Sequence, residues 1–489
     1  MKTIPHHIRP MLTIVLLALW CLYTPSASAQ HLLGSHSNAK ELEALQKLKL
    51  FVNDIERFHH SFPLERAYLH FDNTAYFRGE DIWLKAYVMR TDSNQLTNLS
   101  RVLYVELVAP SGDVLQTHKL HLQNGQAEGC IPLDSLFTSG FYEVRAYTRY
   151  MVNEGSDAVF SRVFPIFDLP QKVGQFAQAK IETRRHNKRL PNNRTATTSG
   201  PTTKEESNGT AEQPTTVTRQ GMSVTFFPEG GHSISGVKGR MTIVVTDNSG
   251  VPLQASGYLV CRNDTMAAVQ TEHEGMGRFT YLPQLGLPAS LHLTDSTGRH
   301  AIISMPEPEP IGVALKVDMS DSLKARITVS TSIELQSTPL ALIQTYRGAV
   351  YSVVPFVCDG KPLVLNCGRE EMEEGVNRFS VIDADGNILA DRLVFVHPTS
   401  APQPITVERI EGNAQPYGRI KLHLKAPAGT TFSVAVHDAA TDIQPLQGDL
   451  RSWMLLSSDL KGYIHQPQYY LESSDAKHRR HTDLLMGRY

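Results

Sequence analysis

Period-two alternation, repeated in short runs and broken by polar, glycine-bearing turns, constrains this chain more than any other feature. It is clearest between Arg66 and Val88, RAYLHFDNTAYFRGEDIWLKAYV. Ala67, Leu69 and Phe71 alternate with Tyr68, His70 and Asp72, and Ile82, Leu84, Ala86 and Val88 alternate with Trp83, Lys85 and Tyr87. Such runs mark strands with one face on a core and one in water. Arg78-Gly79-Glu80-Asp81 supplies the turn between them, since Gly79 has no Cβ to oppose a positive φ. One pair of strands is barely stable in water, so other strands must cover it.

Those strands follow. Arg101–Ala109, Leu115–Leu122, Phe141–Arg149 and Val159–Phe167 have the same character, with turns at Ser111-Gly112-Asp113 and Ser139-Gly140. One device then recurs: Val108-Ala-Pro-Ser-Gly112, Val245-Thr-Asp-Asn-Ser-Gly250, Leu293-Thr-Asp-Ser-Thr-Gly298 and Ile382-Asp-Ala-Asp-Gly386 each end a strand in a short polar turn. This is hairpin chemistry repeated along the chain. At 489 residues the chain is too long for one core. The pattern predicts an all-β protein of tandem immunoglobulin- or fibronectin-like β-sandwiches with one short N-terminal helix. The sandwiches are expected over 61–170, 221–307 and 308–399, with a fourth, incomplete or ending in an irregular tail, over 403–489.

The remaining segments read differently. His6, His7 and Arg9, an apolar run from Met11 to Leu22 and Ser26-Ala-Ser-Ala29 make residues 1–29 a secretory signal peptide. The mature chain is therefore expected outside the cytoplasm. Residues 37–60 carry Leu42, Leu45, Leu48, Val52 and Ile55 at helical spacing, and this helix is expected to pack on the first sandwich. Residues 171–220 are poor in large apolar side chains and read as a disordered linker. Asp475–Met486 has the pattern of a helix. A formal net charge of -2 argues against a nucleic-acid binder. Cys358 and Cys367 are close enough in sequence to pair across adjacent strands, and export permits a disulfide.

YLHFDNTAYFRGEDIWLKAYV, RVLYVELVAPSGDVL and SGFYEVRAYTRYM resemble the macroglobulin domain of the α2-macroglobulin family, in the form carried by secreted proteins of Bacteroidetes-type bacteria. FFPEGGH, EGVNRFSVIDADGNILADRLVFV and SSDLKGYIHQPQYY look like further segments of those proteins. The resemblance implies macroglobulin-type sandwiches and location in the periplasm, outer membrane or cell surface of a Gram-negative bacterium, with peripheral outer-membrane association. It also implies a protein partner, either a protease engaged as by an endopeptidase inhibitor or a component of a TonB-dependent outer-membrane transporter. The family's thioester motif is Cys-Gly-Glu-Gln. Cys367-Gly-Arg-Glu370 departs from it and lacks the acyl-donating Gln.

No spacing supports catalysis, a metal or a cofactor. Gly231-His-Ser233-Ile-Ser235 fails the nucleophile-elbow pattern at its last position. Glu272-His273-Glu274 lacks the second His of a zinc helix, and Asp383-Ala-Asp385-Gly386 lacks the later Glu of a calcium loop. The candidate functional residues are instead the outward positions of the first sandwich: Trp83, Lys85 and Tyr87 from one strand, Tyr104 and Glu106 from another, and Arg145 and Tyr147 from a third. If these strands are neighbours, aromatics and charges interleave on one face, as at binding surfaces. The plainer expectation is a sheet face packed on the next domain or on the N-terminal helix, with ordinary cross-strand pairs.

Overall fold

The structure, a computed structural model, describes residues 39–168, 215–399, 405–412, 415, 417–437 and 448–489. The expected signal peptide and most of the expected linker lie outside these residues. The chain is mostly β, with antiparallel sheets and few helices, and it divides into two compact units.

One unit holds the first sandwich and the segment that follows the third. Strands β1 (Glu65–Phe71), β3 (Asp81–Arg90), β4 (Gln95–Leu96) and β7 (Gln126–Pro132) form one sheet, with β3 paired to β1, β4 and β7. The facing sheet runs in the order β2 (Tyr76–Phe77), β9 (Phe160–Phe167), β8 (Gly140–Tyr147), β5 (Val102–Val108) and β6 (Val114–His121). Ile82, Leu84, Ala86 and Val88 meet Leu103, Val105, Val144 and Ala146 in the core. Phe164 lies edge-on to Phe71 and Tyr76, with ring centroids at 4.7 and 5.5 Å.

The alternation in β1 does not give the expected wet face at Tyr68, which is buried. The cause is a segment nearly 400 residues away in sequence. Helix α2 (Leu450–Leu455), capped by Asp449 accepting from Ser452 N at 2.8 Å, covers this edge of the sandwich. Trp453 donates Nε1 to Ala67 O at 2.8 Å and sets its ring 5.1 Å from Phe160. Arg162 donates to Gly448 O at 2.8 Å, and Arg66 donates to Ser458 O at 3.3 Å.

The other unit holds, among the described residues, two sandwiches and the helices at its two ends. In the first of these sandwiches one continuous path joins β10 (Thr215–Arg219), β11 (Met222–Pro228), β12 (Gly239–Asp247), β15 (Met276–Tyr281), β14 (Asp264–His273), β13 (Ala255–Cys261), β16 (Ala289–Asp295) and β17 (His300–Ser304). β14 serves both halves, pairing with β13 at its start and with β15 at its end. Thr215–Arg219 was expected in the linker but pairs along β11 from Thr215↔Phe226 to Arg219↔Met222. Its Thr-rich sequence suits a strand whose hydroxyls bond across the pair, as Thr216 and Thr225 do at 2.9 Å.

In the next sandwich β18 (Val313–Asp318), β19 (Lys324–Thr331) and β22 (Leu363–Gly368) face β21 (Ala349–Val357), β20 (Pro339–Tyr346), β23 (Gly375–Ile382) and β24 (Ile388–Val396). Helix α1 (Ala39–Ser61) packs here and not on the first sandwich. Its Leu48 and Val52 join Ala341, Ile343 and Ile382, so β20 is buried on both faces. Phe51 lies over the β23–β24 turn, where a Cβ at Gly386 would come within 2.6 Å of its ring.

Three of the four recurring turns share one mechanism. Asp247 Oδ1 accepts from Ser249 N at 2.8 Å and Val251 N at 2.9 Å, and Asp295 and Asp383 repeat this with the residues two and four positions on. Each loop has its glycine three residues after the Asp, at positive φ. The expected fourth sandwich is not formed by the described residues. β25 (Thr406–Glu411) and β26 (Lys421–Lys425) make a two-stranded ribbon, and α2, α3 (Tyr469–Glu472) and α4 (Ala476–Met486) follow. The apolar alternation there is real, but it leaves Val407, Leu422, Phe432 and Val434 exposed, with no facing sheet among the described residues.

Helix α4 returns to the second unit through Leu484, Leu485 and Met486, all buried. Its His481 stacks on His273 at 4.2 Å, with Glu272, Lys477, His478 and Arg480 around it. Burial, then the Lys477 charge, holds the His481 imidazole below its ordinary value. The docked helix thus favours neutral His481. Its stabilising contribution is complete above about pH 6.5 and is lost as pH falls through the lowered value. Acidification below about pH 6.5 should therefore raise hydrogen exchange in α4. His481→Gln should flatten that rise, and an unchanged pH profile in the variant would contradict the assignment.

Candidate binding face

The two sheets of the first sandwich separate the candidate residues. Trp83, Lys85 and Tyr87 project from β3 on the outside of one sheet. Tyr104, Glu106, Arg145 and Tyr147 project from β5 and β8 on the outside of the other. The expected single face is therefore two faces, because alternation fixes which way a side chain points but not which sheet its strand joins.

The β3 side is partly occupied within its own unit. Tyr87 donates to Ser433 Oγ at 3.0 Å, and the same oxygen lies 2.6 Å from His70 Nδ1. Lys85 pairs with Glu128 across the strand at 3.2 Å. Trp83 remains 56% exposed at the far end.

The β5–β8 side forms a continuous cluster. Antiparallel register sets Tyr104 opposite Tyr147 and Glu106 opposite Arg145. The two phenol rings stack at 5.6 Å with 10° between planes. Tyr147 donates to Glu106 Oε1 at 2.7 Å, and burial followed by this carboxylate pushes its hydroxyl up to about 12. Arg145 donates to Glu143 at 2.8 Å, and Ser161 also bonds Glu143. The acids of this face are thus already engaged.

Two cations complete it that the sequence reading left out. Arg149 lies 5.6 Å and Lys119 6.0 Å from the Tyr104 ring centroid. Neither is in an ion pair among the described residues. Lys119 was recoverable in principle, since the Ser111-Gly112 turn sets it opposite Tyr104 in the β5–β6 hairpin. The result is a stacked aromatic pair flanked by free positive charge on an open sheet face.

The motifs with chemical overtones are occupied structurally. Ser233 Oγ bonds the Tyr281 hydroxyl at 2.7 Å, while its neighbour His232 bonds Glu309, so no nucleophile–base pair forms between them. His273 and Glu272 contact α4 through His481 and Arg480. Among the described residues no group of three or more His, Cys, Asp and Glu could hold a metal ion. Cys358 and Cys367 are both free thiols. Burial, then the adjacent Glu371 carboxylate, pushes the Cys367 thiol up to about 12, the reverse of what a reactive thiol needs. Asp383 spends its oxygens on its own turn. No described helix is long and apolar enough to cross a membrane.

No protein-family model matches the chain, and no curated protein is similar to it in sequence. Among solved structures, Salmonella α2-macroglobulin reacted with methylamine is similar over 74% of this chain and 25% of its own, at 15% identity and a TM-score of 0.19. Escherichia coli α2-macroglobulin in its native conformation is similar over 75% and 25%, at 14% identity and 0.19. Dimeric latent PorU from Porphyromonas gingivalis is similar over 68% and 34%, at 12% identity and 0.28. The chain spans about a quarter of the length of these macroglobulins and a third of PorU. Its fold class rests on its own sheets: a mostly β chain of antiparallel sandwiches.

Proposed function

We propose that this is an exported protein that acts without catalysis, by contact with another protein through the outer face of β5 and β8. The observation that carries the reading is the Tyr104–Tyr147 stack flanked by Arg149 and Lys119. Tyrosine supplies large contact area at low entropic cost, and tyrosine and arginine are both enriched among interface hot spots. Export is supported by the basic, apolar and Ala-x-Ala order of residues 1–29. The macroglobulin-like sequence of the first sandwich extends the proposal to engagement of an endopeptidase at the Gram-negative envelope.

Affinity capture from envelope extract tests this. A Tyr104→Ala/Tyr147→Ala variant should capture its partner at least about tenfold more weakly than the parent chain. Its melting temperature should fall only modestly, because Tyr104 lies outside the buried core and Tyr147 is a partly buried ring at its edge. Recovery of a protease supports the inhibitor form, and recovery of an outer-membrane transporter component supports an accessory role. Equal capture by parent and variant removes the face from consideration.

A further inference from the structure

Where the second and third sandwiches adjoin α4, buried charges fail to balance. Glu229 accepts from Arg240 Nη2 at 3.0 Å, Arg392 Nε at 3.1 Å and Val317 N at 3.0 Å. Arg392 Nη2 donates to Asp483 Oδ1 at 2.6 Å, and Arg278 Nη2 pairs with Asp483 Oδ2 at 2.7 Å. The side chains of Arg392 and Glu229 are each only 2% exposed. Three guanidinium groups, Arg240, Arg278 and Arg392, thus share two hydrogen-bonded carboxylates, Glu229 and Asp483, an excess of one positive charge within this bonded group, and Asp318 is the further acid facing Arg240.

A second observation locates the excess. Arg392 Nη1 is buried and has no hydrogen-bond partner among the described residues. Nearby Arg369 faces both signs of charge, Arg479 on one hand and Asp321 and Asp483 on the other; its Nη2 donates to Met319 O, and its Nε is a further buried donor without a partner among the described residues. A buried lysine could relieve such stress by losing its proton, but a guanidinium cannot. An uncompensated buried charge is costly, so a counterion is the natural remedy.

We propose that a small monovalent anion of the halide class accepts from Arg392 Nη1, neutralises this cluster and so helps hold α4 on its unit. The site is independent of the binding face on the first sandwich.

The test is thermal unfolding of the full chain at constant ionic strength, with chloride or bromide exchanged for gluconate, a much larger anion. A saturable rise of about 5 °C is expected at a hundredfold excess over Kd. Arg392→Lys keeps the charge but removes Nη1, and should abolish the saturable part. Anomalous scattering from bromide-soaked crystals should place the ion within hydrogen-bond reach of Arg392 Nη1, and decides the matter alone if the variant fails to fold. Equal stability in halide and gluconate, a saturable rise that survives in Arg392→Lys, or bromide found only elsewhere would overturn the proposal, with water then satisfying Nη1.

Discussion

Asp483→Ala should destabilise its unit by about 3–5 kcal/mol, the cost of breaking a buried ion pair by removing one partner. Asp483 accepts from Arg392 at 2.6 Å and pairs with Arg278 at 2.7 Å, so its loss leaves Arg278 without its carboxylate and Arg392 with Glu229 alone, where little water can reach them. It also removes the charged contact of α4 with β24 and β15, leaving the buried Leu484, Leu485 and Met486, the His481–His273 stack and the Arg480–Glu272 pair to hold the helix. The melting temperature should drop by roughly 10 °C, and hydrogen exchange should rise first in α4. Asp483→Asn keeps one acceptor and should cost less. A drop of under about 1 kcal/mol for the alanine variant would show that the pairs merely balance their desolvation.

The same carboxylate predicts a second acid transition, below that of His481. Burial alone would raise its pKa, but Arg278, Arg392 and Arg240 outweigh burial and hold it below the ordinary value. A depressed carboxyl contributes stability above its unfolded value of about 4, and that contribution is lost as pH falls through the folded value. Wild type should therefore lose stability steeply below about pH 4, and Asp483→Ala should lose less there, having already forfeited the term.

Much of this architecture is legible in the chain because it is local. The facing of Ile82, Leu84, Ala86 and Val88 follows from alternation alone, and all four are buried. The Asp-x-x-Gly turns at Asp247, Asp295 and Asp383 are set by a side chain that reaches only two to four residues ahead. Asp475, which accepts from His478 N at 2.9 Å, likewise starts α4 where the sequence suggests. What cannot be read locally is pairing at a distance. Nothing in Tyr68 announces that Trp453 will cover its edge, nor in Leu48 that its partners are Ala341 and Ile343. The candidate face was pooled from three strands of like pattern, and only the pairing of β5 with β8 and of β3 with β7 separates Tyr104 and Tyr147 from Trp83. The charge cluster is harder still, since Glu229, Arg240, Arg278, Arg392 and Asp483 are scattered over about 250 residues without any repeated spacing.

The second large effect is expected at Glu65, which ties the first sandwich together beneath the binding face. Its side chain is fully buried at the start of β1. One oxygen accepts from the Thr97 hydroxyl and from Ser100 N at 3.2 Å, and the other from the Ser100 and Thr148 hydroxyls, each at 2.7 Å. Glu65→Ala removes the acceptor of all of these donors at once, and Thr97 and Thr148 are themselves buried away from bulk solvent. The expected cost is about 4 kcal/mol in denaturant unfolding, with Glu65→Gln costing roughly half, because an amide oxygen and a rotating hydroxyl can restore part of the network. The position also bears on function. Thr148 directly follows Tyr147, so releasing it should loosen the end of β8 and the Tyr104 stack with it. Glu65→Gln should then weaken partner capture by more than its loss of stability explains. Full capture by a measurably destabilised Glu65→Gln would show that the face holds its shape without this anchor.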